Sequence, residues 1–273
     1  MYMPNEIAKR YANAGANKTK QEVTKMFILA IFAGIFISLG AFGSQVMSAG
    51  SNNAAIGKFL SALVFPVGLL MVIIAGAELF TGNSLILVSV LDKKTDVLGM
   101  LKNWIVVYIG NMVGSIFIAY LLTYSHSYNL FENGLAQMAV NTAVSKVSLT
   151  FTDAFLRGIL CNILVCISVW VSFAAEDVAG KILGLFLPVM LFVISGYEHC
   201  VANMYFIPAG ILVSNEYKIQ GSGLSWYHFL VDNLLPVTLG NIVGGACIVG
   251  AGYYFVYLHE KTDRKEKKDT AEQ

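Results

Sequence analysis

The sequence contains one eight-residue pattern twice, as GAELFTGN at positions 76–83 and as GYEHCVAN at positions 196–203. Both copies carry a glutamate at the third position and an asparagine at the eighth, inside an otherwise apolar run. A second pair, GNMVG at 110–114 and GNIVG at 240–244, follows in the same order. The chain is therefore predicted to contain two copies of one structural unit.

Composition indicates a membrane protein. Of the 273 residues, 56% are hydrophobic and 13% are charged, and the mean hydropathy is +0.66. The interior of one soluble domain cannot hide so much apolar surface. Six apolar blocks follow one another along the chain, at about 26–49, 59–91, 102–124, 154–175, 182–214 and 230–258.

The second and fifth blocks contain the repeated pattern, and their length is unusual. A membrane-spanning helix needs about 20 residues, so each block is too long for one straight helix and too short for two. Irregular backbone at membrane depth survives only where protein or a water-filled cavity satisfies its polar groups. The sequence predicts an all-α membrane protein with six transmembrane helices, of which helices 2 and 5 are broken. The second parts of these two helices are expected to begin near Ser84 and near Met204, at the centre of the bilayer.

Positive charge predicts the orientation. Segment 1–25, the loops at 92–102 and 176–181 and the tail hold 14 of the 18 Lys and Arg residues. This asymmetry predicts a multi-pass protein of the cytoplasmic (inner) membrane with both termini in the cytoplasm. Because each repeat has three spans, an odd number, the second repeat is expected to be inverted. The predicted segments are a cytoplasmic N-terminal segment (1–25), a first transmembrane repeat (26–124), an external connecting loop (125–153), an inverted second transmembrane repeat (154–258) and a cytoplasmic tail (259–273).

The inverted arrangement has an electrostatic consequence. The second part of each broken helix starts at the bilayer centre, so both helix N-termini face that centre. Unpaired N–H groups and the helix dipole there favour negative charge by about 0.3–1 kcal/mol, and by up to about 2 kcal/mol when the site is partly buried. Small monovalent anions are therefore the predicted substrates, and membrane lipid is the predicted surrounding partner.

The repeated polar residues have two interpretations. A carboxylate inside a span is a functional candidate by default. Glu78 and Glu198 are equivalent in the repeat, however, and each lies beside a helix break with exposed N–H donors, which favours a structural role. The predicted structural polar network consists of Glu78, Glu198, Asn83, Asn203, Asn111 and Asn241.

The two copies differ where the first has Leu79 and Thr81 and the second has His199 and Val201. His199 is the only histidine expected at membrane depth. It is interpreted either as a core imidazole satisfied by backbone or as a ligand for the passing anion, and the sequence does not decide its protonation state. Thr81 is interpreted either as a second ligand or as a residue that satisfies a nearby carbonyl.

The stretch GYEHCVANMYFIPAG at 196–210, together with GAELFT at 76–81, resembles the formate/nitrite transporter family of anion channels. The resemblance covers about residues 26–258. It implies an aquaporin-like fold, a homopentamer with one pore in each protomer, and substrates such as formate, nitrite, hydrosulfide or lactate. Matched by motif, His199 is the family's central histidine and Thr81 its threonine at the first break. The apolar constrictions that the resemblance implies on either side of the histidine are Phe65, Leu69, Leu79, Phe80 and Phe192.

The polar N-terminal segment has a loose helical apolar spacing and several basic residues, which is typical of a helix that lies along a membrane surface. In related channels such a segment covers the cytoplasmic mouth of the pore. The resemblance therefore also implies a cytoplasmic gate, with Lys18 as its candidate residue, and a plain interfacial anchor is the alternative.

Other function classes have little support in the sequence. No P-loop, dinucleotide fingerprint or metallohydrolase motif occurs, and the cysteine spacings indicate no zinc or redox site. The chain is expected not to be an enzyme, to hold no cofactor or metal, and to bind no nucleic acid. An aquaporin-like channel for small neutral solutes and a proton-coupled anion transporter stay open as alternatives. The former should carry Asn-Pro-Ala at both breaks, whereas Ser84 and Met204 follow the two asparagines here.

Overall fold

A computed structural model describes residues 1–259, and within that range the chain is helical and contains no strand. The predicted tail at 259–273 lies outside the described residues, except for its first residue. The described helices are α1 (Pro4–Thr19), α2 (Val23–Ala49), α3 (Ala54–Gly76), α4 (Phe80–Leu91), α5 (Val97–Tyr124), α6 (Gly134–Val147), α7 (Phe151–Ala174), α8 (Val178–Ile194), α9 (Cys200–Glu216) and α10 (His228–Tyr257).

Five helices, namely α2, α3, α5, α7 and α10, are long and apolar enough to cross a membrane, and α4 and α8 are shorter apolar helices. Their outer faces carry large apolar side chains; Leu183 is 72% exposed and Leu187 is 68% exposed. Apolar surface of this extent is stable only against lipid or another apolar surface. The chain is a multi-pass membrane protein.

The repeated pattern forms an extended segment followed by a helix start in both halves. α3 ends at Gly76 (φ +82°) and α4 begins at Phe80. α8 ends at Ile194, and Gly196 (φ +70°) leads into an extended segment before α9 begins at Cys200. Glycine adopts a positive φ without a steric penalty, which explains why both turns use it.

Both helix starts lie four residues before the positions expected from the sequence, near Ser84 and Met204. The cause is a side chain from a neighbouring helix. Oδ1 of Asn111, in α5, accepts a hydrogen bond from the Phe80 N–H at 2.9 Å. Asn241, in α10, accepts the corresponding bond from the first residue of α9, also at 2.9 Å. A helix begins readily where its first N–H groups find an acceptor.

The connecting segment at 125–153, predicted as a loop, contains the helix α6. α6 buries Leu135, Ala139 and Ala143 completely. These residues are four apart and share one helix face. Because only this face is apolar, the segment does not form a continuous apolar block in the sequence. α6 packs against α9, and α1 packs against α4. Each half of the chain thus has a short helix ahead of its long ones.

Glycines allow the long helices to approach closely in each half. A Cβ atom on Gly114 of α5 would collide with the carbonyl oxygen of Ile31 in α2. A Cβ atom on Gly244 of α10 would collide with the carbonyl oxygen of Ile159 in α7. Close backbone contact at small residues is a main source of helix association in membranes, so these glycines have a packing role.

Candidate functional site

Glu78 lies in the extended segment before α4 and is 4% exposed. Its Oε2 accepts hydrogen bonds from Asn83 Nδ2 at 2.7 Å and from Lys18 Nζ at 2.8 Å. Its Oε1 accepts from Gln21 Nε2 at 3.2 Å. The carboxylate is therefore paired with a cation and hydrogen-bonded, which is the condition under which a charge is stable away from water.

Glu198 has the same environment in the second half and is 5% exposed. Lys146 Nζ donates to its two carboxylate oxygens at 2.9 and 3.0 Å, and Asn203 Nδ2 donates to Oε2 at 2.6 Å. Lys18 lies in α1 and Lys146 in α6, so the short helix of each half supplies the cation for the carboxylate of that half.

Asn111 and Asn241 hydrogen-bond the two extended segments to the long helices. Nδ2 of Asn111 donates to the carbonyl oxygens of Ala30 at 2.8 Å and Glu78 at 2.9 Å. Nδ2 of Asn241 donates to the carbonyl oxygen of Gly158 at 2.8 Å and to that of Glu198 at 3.0 Å. The six residues predicted as a polar network thus lie in two equivalent clusters, one in each half.

Besides Gln21, which donates to Glu78, sequence reasoning missed three members of these clusters. Oδ1 of Asn103 accepts from Asn83 Nδ2 at 2.9 Å, and Oδ1 of Asn233 accepts from Asn203 Nδ2 at 2.7 Å. Asn103 and Asn233 are 130 residues apart, the same spacing that relates positions 110–114 to 240–244. That spacing was a usable signal for this pair. The third member, Lys146, follows Lys18 by 128 residues, but without knowledge of α6 the spacing carries no structural meaning.

Thr81 and His199 join the two halves. Thr81 Oγ1 lies 2.8 Å from His199 Nε2, and both residues are buried. His199 Nδ1 accepts a hydrogen bond from the Ala202 N–H at 3.0 Å, which makes the imidazole the side-chain cap of α9. Because Nδ1 is an acceptor in this bond, a neutral ring carries its proton on Nε2 and donates it to Thr81. Leu79 holds the corresponding cap position of α4 and makes no side-chain cap.

Two cavities lie near this pair. We call them the Lys146 vestibule, with a volume of about 320 Å³, and the Lys18 vestibule, with a volume of about 510 Å³. The lining of the Lys146 vestibule includes His199, Phe65, Phe192 and Glu198. The lining of the Lys18 vestibule includes Leu69, Leu79, Glu78 and Gly82. Thr81 is fully buried and lines neither cavity.

Four of the five predicted constriction residues line these cavities. Phe65 and Phe192 meet edge to face with their ring centroids 5.5 Å apart, and the Phe192 ring stacks on His199 at 6.0 Å. Leu69 and Leu79 line the other vestibule.

Phe80 is placed elsewhere. Its ring packs edge to face against Tyr108 at 4.9 Å and Trp104 at 6.1 Å, and it lines an apolar groove between α5 and α10. As the first residue of α4, Phe80 points its side chain toward α5, away from the axis of the Thr81 and His199 pair. The structure therefore does not bring Phe80 together with the other four residues.

Both vestibules carry an excess of positive charge. The Lys18 vestibule is lined by four cations and one carboxylate: Arg10, Lys18, Lys25, Lys181 and Glu78. The Lys146 vestibule is lined by three cations and one carboxylate: Lys58, Lys146, Arg157 and Glu198. A cavity with low-dielectric walls and one sign of charge concentrates ions of the opposite sign.

These features define a membrane transport protein in which two related halves meet at a buried Thr81–His199 pair between two basic vestibules. The profile of the formate/nitrite transporter family matches residues 5–255. The chain belongs to the formate/nitrite transporter family.

Relatives and solved structures are similar along nearly the full chain. A probable formate transporter of Methanothermobacter thermautotrophicus is 37% identical over 275 residues, which cover 94% of this chain and 97% of the relative. The formate channel FocA of Escherichia coli (strain K12) is 36% identical over 273 residues, covering 95% and 96% of the two chains. A solved structure described as a pentameric formate channel with formate bound has a TM-score of 0.77 and 37% identity, covering 86% of this chain and 98% of the other. An FNT family ion channel has a TM-score of 0.84 and 25% identity, covering 92% and 98%.

Proposed function

We propose that this protein is a channel that passes small monovalent weak-acid anions, with formate, nitrite and hydrosulfide as candidates, through a pore in each protomer. The proposed arrangement is a homopentamer in the cytoplasmic membrane. Each protomer has six spans in an inverted three-plus-three repeat, broken helices at the second and fifth spans, and both termini in the cytoplasm. The similar solved structure of a pentameric formate channel with formate bound supports this oligomeric state and this class of substrate.

The observation that carries the proposal is the hydrogen bond between Thr81 and His199. Apart from Thr81 and His199, the region between the vestibules is apolar. Phe65, Leu69 and Phe192 are each no more than 4% exposed there. In this pair the neutral His199 donates its only ring N–H to Thr81, and the Thr81 hydroxyl proton stays free to donate. An anion that replaces Thr81 as the acceptor of the His199 N–H therefore meets two donors. Two adjacent donors between apolar residues suit a small anion.

The energetics favour passage with a shared proton. Stripping a monovalent anion of water in an apolar passage costs several kcal/mol even after relaxation. Protonating a carboxylate whose acid has a pKa about three units below ambient pH costs about 4 kcal/mol, at about 1.36 kcal/mol per unit. For an acid with a pKa near 7 this cost almost vanishes. We infer that the anion hydrogen-bonds to His199 and Thr81 and that transient proton sharing lowers the energy of its passage. The proposed constrictions on either side are formed by Phe65, Leu69, Leu79 and Phe192.

The proposed function is tested by fluxes in liposomes that contain the purified protein. Uptake of formate, nitrite, hydrosulfide, water and urea is compared at two pH values. We expect uptake of the anions with little transport of water or urea, and uptake of only the neutral solutes would refute the anion channel. A pH-sensitive dye inside the liposomes separates an electrogenic channel, which leaves internal pH unchanged, from proton-coupled transport, which acidifies the interior during formate uptake.

The role of His199 is tested with His199→Ala in the same assay. We expect formate flux to fall at least tenfold and its pH dependence to change. The matched control is His126→Ala, because the His126 side chain is 58% exposed and lies in a connecting segment. An unchanged rate and pH dependence in His199→Ala would remove the histidine from the mechanism.

We infer a gating role for α1 on separate grounds. Lys18 binds Glu78, and the Tyr11 hydroxyl donates to the carbonyl oxygen of Gly82 at 3.0 Å. α1 therefore rests on the segment that forms one end of the pathway, and Lys18 is the candidate residue that holds it there. Release of α1 would open the Lys18 vestibule more widely.

A further inference from the structure

The Lys146 vestibule holds positive charge that the Thr81–His199 site does not use. Four Lys and Arg residues lie outside segments 1–25, 92–102, 176–181 and the tail, and three of them line this one cavity: Lys58, Lys146 and Arg157. Lys218 is the fourth and does not line it. The charge is therefore gathered at the vestibule rather than spread over the connecting segments.

The three cations are not equivalent. Lys146 is already neutralised, because both carboxylate oxygens of Glu198 lie within 3.0 Å of its Nζ. Lys58 and Arg157 are both exposed to the cavity side, and within residues 1–259 neither forms an ion pair with a carboxylate. The vestibule thus presents two uncompensated positive charges.

The remainder of the lining is suited to an oxyanion. Six residues with hydroxyl groups line the cavity: Ser44, Ser48, Ser61, Thr142, Ser145 and Tyr197. The hydroxyls of Ser44, Thr142 and Ser145 donate to carbonyl oxygens of their own helices, which leaves Ser48, Ser61 and Tyr197 as the hydroxyl donors for a bound anion. Gln45 also lines it, and its buried amide nitrogen has no hydrogen-bond partner within the described residues. Hydroxyl and amide donors next to lysine and arginine are groups that bind sulfate-like and phosphate-like oxygens.

We propose that the Lys146 vestibule is a binding site for a divalent oxyanion of the sulfate or hydrogen phosphate class, which occupies the mouth of the pathway without passing through it. Two uncompensated cations match two negative charges, and about 320 Å³ exceeds the space that one tetrahedral oxyanion needs.

The inner end of the vestibule explains why such an anion stops there. The solvation energy of an ion rises with the square of its charge, so removing water from a divalent anion costs far more than from a monovalent one. One shared proton neutralises formate but leaves a charge on sulfate. The Phe65 and Phe192 rings then form a barrier that a divalent anion does not cross. The blocking consequence rests on the proposed channel function, whereas the binding does not.

The binding is tested by calorimetric titration of the detergent-solubilised full-length protein with sodium sulfate at low ionic strength. We expect a sulfate site with an affinity that decreases as sodium chloride is added, because exposed charges are screened. The variant Lys58→Gln/Arg157→Gln should bind sulfate at least tenfold more weakly. The matched control Lys25→Gln/Lys181→Gln removes the same charge from the Lys18 vestibule and should keep the wild-type affinity. Absence of sulfate binding, or equal weakening in both double variants, would overturn the proposal.

The blocking is tested by formate influx into liposomes with sulfate on the side of the Lys146 vestibule, at constant ionic strength. We expect competitive inhibition in the wild type and at least a tenfold loss of sulfate sensitivity in Lys58→Gln/Arg157→Gln, judged by the ratio of fluxes with and without sulfate. If the double variant does not fold, Lys58→Gln alone should lose part of the sensitivity. Formate flux unaffected by bound sulfate would refute blocking; sulfate binding without formate flux would instead refute the channel.

Discussion

At the scale of residues, the two halves share a scaffold and differ in chemistry. Glutamate, asparagine and lysine make the same contacts in both halves, at nearly the same distances. The cap position of the second helix in each pair differs, with Leu79 in one half and His199 in the other. The His199 imidazole therefore has no counterpart in the first half, although the residues that support it do.

Thr81 offers a sharp test of this pair. Thr81→Val keeps the shape of the side chain but removes the acceptor for His199 Nε2, and a buried donor without a partner costs about 1–3 kcal/mol. We expect formate flux to fall about tenfold, equivalent to about 1.4 kcal/mol. The control Thr81→Ser retains the hydroxyl and should keep the flux within a factor of about two to three. Equal fluxes in the two variants would show that the hydroxyl has no role.

The ion pair of Lys146 and Glu198 predicts a coupling in stability. Their side chains are 15% and 6% exposed, so Lys146→Gln leaves a carboxylate buried without its cation, which typically costs about 3–5 kcal/mol. The double variant Lys146→Gln/Glu198→Gln removes both charges and should recover most of that loss. Thermal unfolding in detergent measures these two variants and the single variant Glu198→Gln. Additive losses in the double variant would contradict the coupling.

At the scale of helices, the repeat unit is longer than the apolar blocks suggest. α1 and α6 hold equivalent places: each precedes the long helices of its half, packs against the helix that follows the extended segment, and supplies the lysine for the buried glutamate. The former is a terminal segment and the latter a connection between halves, so their equivalence is visible only in their contacts.

The docking of α1 depends in part on Tyr11. Tyr11→Phe removes the hydroxyl that donates to the carbonyl oxygen of Gly82, and the loss of this hydrogen bond should weaken docking by about 0.5–1.5 kcal/mol. We expect faster tryptic cleavage after Arg10 and Lys18. Tyr120→Phe is the control, because Tyr120 is 53% exposed. If cleavage is equally slow in both variants, the hydroxyl does not hold α1 in place.

Helix contact in the first half depends on Gly114. Gly114→Ala drives a methyl group into the carbonyl oxygen of Ile31, and the separation of α2 and α5 that relieves this clash should cost about 1–3 kcal/mol. We expect a lower melting temperature in detergent. Gly252→Ala in α10 is the matched control, since nothing lies within 4 Å of a Cβ atom there. A melting temperature that falls equally in both variants would contradict the contact.

At the scale of the whole molecule, charge distribution and the two vestibules belong together. Arg10, Lys18, Lys25 and Lys181, which line the Lys18 vestibule, belong to the segments that hold 14 of the 18 Lys and Arg residues of the sequence. Three of the other four, Lys58, Lys146 and Arg157, line the Lys146 vestibule. The positive-inside rule predicts orientation from the number of positive charges near each end of the spans. It does not predict where these charges lie, and in this protein several of them lie around the two vestibules.

The proposed topology predicts the labelling of introduced cysteines. In a Cys247→Ala background, Lys20→Cys should react with a membrane-impermeant maleimide only after the cells are permeabilised. Lys218→Cys should react in intact cells, because the charge asymmetry places that residue outside. Lys20 and Lys218 are both exposed, so access alone does not separate them. The reverse pattern of labelling would invert the proposed orientation.

The sequence by itself determined the membrane class and the duplication, because these are expressed in composition and in spacing. Local differences between the copies singled out His199 and Thr81 as candidate site residues, and their side chains lie 2.8 Å apart in the structure. The sequence also identified the six repeated polar residues. The repeated residues lie in short segments, at 76–83 and 196–203 and at 110–114 and 240–244, which can be compared directly.

Only the tertiary structure decided where the helices of the site begin, which lysine pairs with Glu198, and which way Phe80 faces. The helix starts at Phe80 and Cys200 are set by Asn111 and Asn241, which are at least 31 residues away in the chain. The 2.8 Å contact of Thr81 with His199 spans 118 residues. Local sequence does not contain such partners, because buried polar groups are satisfied by whatever the folded chain brings beside them.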